Sequence, residues 1–351
     1  MGFKRLEADD FVVSAQAQTA TCWSNNVPTL NEFFTQSSQT SGASGQYYIT
    51  VYNTSSDALD ATVSAQFEIA YGNELGGGAL AYNNIANPGV SPASTIFGQY
   101  RTLVLEDENS GFVFGGVSGS SIYALSIERA AYKQSLFPGS LNLVLSGSVG
   151  SGNVLSLTDN SAMVTVPTYY GTMRAYQVIS GSNGSAWNTS GGGNGYTTSN
   201  GSYGLFLPDI GTILLNGDAL DLNTTQGLNL GTTTTTNTAG NNPEKLFNAI
   251  SGSTVAVLSP AFSLNSEETI TSDFVFVRAR NSEFNYSTNP SYISGSTGEV
   301  IYNYFINNPQ TYMTTVGLYN DSNDLLAVAK LSKPLNKDFT KEALIRVKLD
   351  F

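Results

Sequence analysis

Two stretches gather enough oxygen ligands to hold a hard cation: Asp218–Asn223 (Asp-Ala-Leu-Asp-Leu-Asn) and Asn320–Asp324 (Asn-Asp-Ser-Asn-Asp). Neither follows the EF-hand loop, whose carboxylates recur at alternate positions around a central glycine. Asn320–Asp324 reads better as a hairpin turn, because Asn and Asp tolerate the left-handed backbone region. No metal ligand set is therefore assigned. Gly191–Gly195 (Gly-Gly-Gly-Asn-Gly) has neither the following helix nor the lysine that a phosphate cradle needs, so it reads as a loop and no cofactor is expected.

The chain contains no histidine and one cysteine, Cys22. A Ser-His-Asp or Cys-His relay cannot be built, nor can an intrachain disulfide, a thiolate cage or a His-ligated metal. Cys22 reads as a small buried hydrophobe rather than a nucleophile. Among 27 acidic residues a glycosidase-like carboxylate pair can always be found, but nothing in the sequence selects one. No catalytic residue is assigned, and the chain reads as non-enzymatic. The remaining chemistry is binding. Trp187, in a loop of small polar residues, can stack on a sugar ring, with Tyr196 beside it in sequence as a second contact. Trp23 reads as core.

Charge narrows the partners. A net charge of −12 argues against nucleic acid, and no apolar run is long enough to cross a bilayer. The start, Met-Gly-Phe-Lys-Arg, has no hydrophobic stretch behind its basic residues, so no export signal is expected. Six of the fifteen basic residues fall between Lys330 and Lys348, whereas only Arg174 and Lys245 fall between residues 134 and 277. The basic C-terminal stretch suits docking on an acidic copy or partner; a solvated basic face is the other reading.

The elements that must position these residues are strands. In Thr62–Tyr71, the residues Val63, Ala65, Phe67, Ile69 and Tyr71 share one face, and in the last eight residues Ile345, Val347, Leu349 and Phe351 do the same. Further strands are expected at Tyr47–Asn53, Tyr100–Leu105, Ile122–Ile127, Leu141–Gly147, Ala162–Pro167, Met173–Ser180, Thr254–Leu258, Asp273–Arg280, Glu299–Ile306, Thr311–Tyr319 and Leu325–Leu331. Helical signal is confined to Ile127–Leu136, Asn336–Glu342 and a start at Thr29–Phe34. The fold class expected is mainly β, with two antiparallel sandwich-like domains, long polar loops and one or two short helices. Polar, glycine-rich stretches at Ser180–Gly204 and Gly231–Asn242, the latter with five threonines at 232–236, suggest an N-terminal β domain over 1–178, a loop-rich linker over 179–245 and a C-terminal β domain over 246–351.

Met313–Lys333 has a specific form: a strand, Gly-Leu-Tyr, an Asn/Asp turn, then Leu-Leu-Ala-Val-Ala-Lys. It resembles the "GLYD..G.LIAVA" hairpin of tail-fibre and tail-collar proteins of contractile-tailed bacteriophages, departing from it where that pattern has Asp and Gly in the turn. Phe339–Phe351 and Asp9–Ser14 (Asp-Asp-Phe-Val-Val-Ser) are similar to virion structural proteins of T4-like marine phages. The resemblance is clearest over residues 300–351. It implies a virion structural protein, made in the host bacterial cytoplasm and placed in the tail, at the baseplate or fibre-attachment region. Its partners would be other virion proteins and copies of itself in a symmetric homo-oligomer, with neither nucleic acid nor membrane. The docking residues expected are Tyr319, Lys330, Lys333, Lys337, Lys341, Arg346 and Lys348. A head decoration or neck protein, and a receptor-binding fibre module that reads glycans through Trp187 and Tyr196, are the alternatives. The apolar run at Leu325–Ala329 belongs to a strand covered on both sides.

Overall fold

The computed structural model describes residues 4–33, 48–54, 62–78, 91–147, 154–187, 194–231, 241–256, 261–287 and 289–350; the five-threonine run at 232–236 lies outside the described residues. The chain is mainly β and its paired strands are antiparallel, as the alternating sequence requires. In chain order the strands are β1 (Phe11–Thr21), β2 (Asn31–Phe33), β3 (Tyr48–Tyr52), β4 (Ala65–Asn73), β5 (Phe112–Phe114), β6 (Val117–Gly119), β7 (Ser121–Ile127), β8 (Ser135–Leu136), β9 (Asn142–Ser146) and β10 (Val154–Asp159). There follow β11 (Thr168–Tyr170), β12 (Met173–Ser182), β13 (Ser185–Ala186), β14 (Gly204–Leu207), β15 (Thr212–Asn216), β16 (Phe262–Ser263), β17 (Asn265–Ala279), β18 (Thr311–Tyr319), β19 (Leu325–Lys337) and β20 (Ala343–Asp350). The helices are α1 (Pro92–Leu105), α2 (Gly217–Leu220), α3 (Asn241–Ala256) and α4 (Asn303–Asn307). No helix among the described residues is long and apolar enough to cross a membrane.

Two compact units form: Gln18–Glu268, and Met1–Ala17 together with Thr269–Phe351. The divisions expected near residues 178 and 245 fall inside β12 and α3, so neither is a boundary. Loop composition misplaced them, because polar insertions can hang from a continuous sheet without dividing it. The segment expected to be a linker carries β14 and β15, whose Gly-Leu-Phe-Leu and Thr-Ile-Leu-Leu-Asn are buried at every position.

Those buried runs explain the larger unit. Its sheet runs β16-β9-β10-β12-β14-β15-β7-β4-β3-β2, with β11 and β13 attached to β12. Tyr123 and Leu125 of β7, Ile213 and Leu215 of β15, and Phe206 of β14 pack into one core; Ile122 and Ala124, Leu214, and Leu205 and Leu207 of the same strands pack into a second. Both sheet faces are therefore covered, which is why these strands read as continuous apolar runs rather than alternations. Leu246, Phe247 and Ile250 of α3 join the first core, where Trp23 meets Phe262 at 5.2 Å and Phe67 at 6.3 Å between ring centroids. Phe97 and Val104 of α1 join the second, with Phe97 edge-on to Phe112 at 5.3 Å.

Several sequence expectations change here. Tyr100–Leu105 is helical, because α1 starts upstream at a Ser91 cap, whose Oγ accepts the Ser94 N–H at 3.3 Å, with Pro92 in the first turn. Thr254–Ala256 likewise completes α3. Ile127–Leu136 holds only a 3-10 turn at Arg129–Ala131 before β8. Asn31–Phe33 and Asn336–Lys337 are strand, where helix starts were expected, since pairing with β3 and β18 outweighs weak local preference. Ala162–Pro167 forms turns and bends, and Glu299–Ile306 gives a single bridge between Ile293 and Val300, then α4.

Glu68 of β4 lies opposite Thr50 of β3, whose hydroxyl donates to Glu68 Oε1 at 3.4 Å. Burial pushes the Glu68 carboxyl above its ordinary range, more than the Thr50 hydrogen bond pulls it down, and Glu128 adds a like charge. Between the ordinary and the raised value the folded chain holds more protons than the unfolded one, so stability falls as pH rises through that window. Glu68→Gln should therefore stabilise the chain at pH 7 by a few tenths of a kcal/mol, a small figure because the side chain still reaches solvent. Thermal unfolding at pH 4 and pH 7 checks it: the gain should appear at the higher pH and shrink at the lower.

Candidate functional site

The C-terminal hairpin is set by its turn. Asn320 donates its N–H to the Asp324 carbonyl at 3.1 Å and accepts the Asp324 N–H on Oδ1 at 2.7 Å, while Asn323 takes the left-handed conformation at φ 65°. Of the oxygens considered above for calcium, Asn320 Oδ1 and Asp324 Oδ2 are engaged in closing this turn. At Asp218 the carboxylate accepts the Ser120 N–H at 2.6 Å and the Ser121 hydroxyl at 2.7 Å. Among the described residues no group of three His, Cys, Asp or Glu side chains gathers as a metal set. Cys22 is buried and its thiol is pushed up to about 12 by desolvation, the state of an inert core residue.

From the turn, β18 and β19 pair in register from Thr315 opposite Lys330 to Leu318 opposite Ala327. Val316, Leu318, Ala329 and Leu331 pack on a small core of Val275, Ile345 and Val347 from the β17–β20 pair. Beyond Thr315 the register breaks, so that residues 331–334 of β19 stand against Thr314 alone. Pro334 falls in that bulge, where its missing N–H costs no ladder bond.

The other face of the hairpin is open. Leu325, Leu326 and Val328 are 52%, 68% and 58% exposed, and Tyr319 is 42% exposed. The double coverage expected for this strand is thus supplied on one side only within the chain. Gly317 has a positional reason: a Cβ there would lie 2.9 Å from the Tyr319 ring and 3.3 Å from Leu325. The Gly-Leu-Tyr sequence lets the tyrosine lie flat across its own strand, joining Leu325 and Val328 in one apolar patch.

The expected docking residues separate. Tyr319 and Lys330 share the open hairpin face, and Lys333 is exposed in the bulge. Arg346 and Lys348 belong to β20 and point away on the far side of the core, Arg346 with its guanidinium 5.5 Å from the Phe274 ring and Lys348 paired with Asp350 at 2.8 Å. Lys341 pairs with Asp338 at 3.3 Å. Lys337 is not a surface residue at all. It is fully buried, donating to the Asn281 carbonyl at 2.9 Å, to Asn285 Oδ1 at 2.9 Å and to the Asp338 carbonyl at 3.1 Å. Its place in a basic run gave no sign of this, because burial depends on where Asn281 and Asn285 arrive in space.

Trp187 and Tyr196 flank one residue: the Trp187 N–H donates to the Ser180 carbonyl and the Ser180 N–H to the Gly195 carbonyl, both at 2.9 Å. Their roles differ. Trp187 is 51% exposed, whereas the Tyr196 ring lies over Gly115, within 2.6 Å of where a Cβ would stand, and desolvation pushes its phenol up. Tyr196 is a packing residue, and only Trp187 offers its ring to a ligand.

No family model, curated protein or solved structure matches the chain.

Two further groups were not singled out by sequence. One is the pair of exposed, stacked rings of Tyr302 and Tyr304. The other is an ion network in the larger unit: Arg174 Nη2 bonds Asp209 Oδ1 at 2.7 Å, Glu267 Oε2 at 3.2 Å and Ser135 Oγ at 3.0 Å. The isolation of Arg174 in a stretch with few cations was its one sequence signal.

Proposed function

We propose that the chain is a non-enzymatic structural subunit of a contractile phage tail, at the baseplate or fibre-attachment region, and that it assembles by packing the open β18–β19 face on a second copy. The observation that carries this is the apolar patch of Tyr319, Leu325, Leu326 and Val328, with Lys330 and Lys333 beside it. Charge supplies the complement. The smaller unit holds ten basic and eleven acidic residues, the larger five basic and sixteen acidic. The lysine edge of the hairpin therefore meets attraction on the larger, more acidic unit of a neighbour. Such head-to-tail contacts build rings when they close, as a tail with rotational symmetry needs. The similarity of Met313–Lys333 to tail-fibre and tail-collar hairpins supports the same placement.

The test combines location with assembly. Gold-labelled antibody to the chain should mark the distal tail of virions from cells that carry this sequence; label over the capsid would support a head decoration or neck protein instead, and no label on intact or disrupted particles would end the virion reading. In sedimentation, Leu326→Asp/Val328→Asp should shift self-association by at least about a hundredfold, since each buried leucine or valine is worth about 1.5–3 kcal/mol.

A further inference from the structure

Residues 300–320 contain no charged side chain, in a unit where one residue in five is charged. Within that stretch α4 and its flanks expose large apolar groups: Tyr302 is 43% exposed, Tyr304 61%, and Ile301 and Ile306 both more than half. Isolated exposed apolar residues are ordinary, but here two aromatic rings are stacked, with centroids 5.4 Å apart and planes 30° from parallel. The stack is backed. Tyr292 stands edge-on to Tyr302 at 5.7 Å and 72°, and tilts against Phe305 at 5.4 Å. Phe305 is buried, and the bridge between Ile293 and Val300 ties the Tyr292 segment to the start of the platform. The rings are thus fixed before any ligand arrives, which removes part of the entropic cost of binding. In the same stretch Asn303, Asn307 and Gln310 are exposed carboxamides, each with two donors and an acceptor.

We propose that Tyr302 and Tyr304 form a platform for a neutral saccharide, whose axial C–H face stacks on a ring while the carboxamides bond its hydroxyl groups. A tyrosine offers a flat apolar area of about the size of a pyranose ring, together with a hydroxyl at its edge. Uncharged donors and acceptors match vicinal hydroxyls in both polarities, whereas a sialylated or sulfated sugar finds no cation between residues 300 and 320. This platform is separate from the Trp187 loop and independent of the assembly reading. Its sugar would come from a surface polysaccharide or a free oligosaccharide, and the array below presents both.

The full chain is applied to an array of neutral gluco-, manno-, galacto- and N-acetylglucosamine oligosaccharides and of whole bacterial surface polysaccharides, with sialylated and sulfated glycans alongside. Retention of a neutral glycan is expected, with a dissociation constant of about a millimolar or tighter by titration. Tyr302→Ala and Tyr304→Ala should each weaken it about tenfold, the scale of losing one aromatic anchor. Tyr304→Phe, which keeps the ring, should stay within about twofold of the parent. The rings are exposed, so unchanged circular dichroism is expected for every variant. The proposal is overturned if no neutral glycan is retained, if only anionic ones are, or if the double alanine variant binds as before. It is also overturned if Tyr304→Ala instead abolishes self-association, because the patch then belongs to a contact between copies.

Discussion

Lys337→Met is expected to cost the unit of Met1–Ala17 and Thr269–Phe351 about 3 kcal/mol. The ammonium has three donors and the structure gives it three acceptors, on Asn281, Asn285 and Asp338, and the residue is fully buried. Asn285 in turn donates to the Asn281 carbonyl at 2.6 Å, so one cation closes the 281–285 turn onto the end of β19. Methionine keeps most of the aliphatic stem and removes every donor. What is lost is therefore the set of charge-assisted bonds: the Asn285 oxygen is left buried without its donor, while the Asn281 and Asp338 carbonyls keep only the Asn285 amide and the Lys341 N–H. Hydrogen exchange should report the loss locally: amides of β18, β19 and β20 exchange faster, and those of β7, β14 and β15 are unchanged. An unaltered exchange pattern, with assembly impaired, would return Lys337 to the docking surface on which its sequence position first placed it.

That outcome bears on what a sequence of this kind discloses. The alternation in Thr62–Tyr71 and in the terminal strand named a mainly-β chain correctly, because a strand with one buried face writes its geometry into every second residue. The Asn320–Asp324 turn was legible for the same reason: its residues state their own backbone preferences. Tyr100–Leu105 was not, since Tyr-Arg-Thr-Leu-Val-Leu looks like a strand until the Ser91–Pro92 cap upstream is weighed with it. Nor were β14 and β15, each too short for periodicity to speak and embedded in glycine-rich surroundings. Unit boundaries failed because composition marks where loops are, not what they connect.

For the candidate site the division is sharper. Exposure of Tyr319 and Lys330 on one face followed from strand register, a local property. The separation of Arg346 and Lys348 from them follows from how the hairpin packs on β20, which no local pattern contains. The roles of Tyr196 and Lys337 each depend on a distant residue, Gly115 in one case and Asn285 in the other. A lysine in a basic run and a tyrosine in a polar loop look alike whether they serve solvent or structure. Only the third dimension tells them apart.

In the larger unit the corresponding experiment is Arg174→Met, expected to cost about 3 kcal/mol at low salt and somewhat less at high salt. Arg174 projects from β12, Asp209 from the 3-10 turn between β14 and β15, and Ser135 and Glu267 sit opposite one another in the β8–β17 pair. The guanidinium therefore joins the main sheet to a strand pair that shares no ladder with it. Nε and Nη2 both bond Asp209 Oδ1, at 3.0 and 2.7 Å, while the Arg174 N–H takes Oδ2 at 2.7 Å. Glu267 accepts from both Arg174 and the Ser135 hydroxyl, the latter at 3.0 Å. Glu267 is the most enclosed of the three charged side chains at 13% exposure, and Arg174 is 26% exposed. Solvent thus screens the pair in part, which sets the figure at the lower end of what breaking a buried pair costs. Removing the cation leaves two carboxylates close together without a counter-ion, and that repulsion outweighs the dispersion that methionine restores. Arg174→Lys should recover less than half of the loss, since a point charge cannot reproduce the planar fork that reaches Asp209 and Glu267 together. The double variant Arg174→Met/Glu267→Gln should be more stable than Arg174→Met alone, because neutralising Glu267 relieves the unpaired charge. Urea unfolding of the parent, Arg174→Met, Glu267→Gln and the double variant measures the cycle, and additive losses would show that Arg174 serves packing rather than charge.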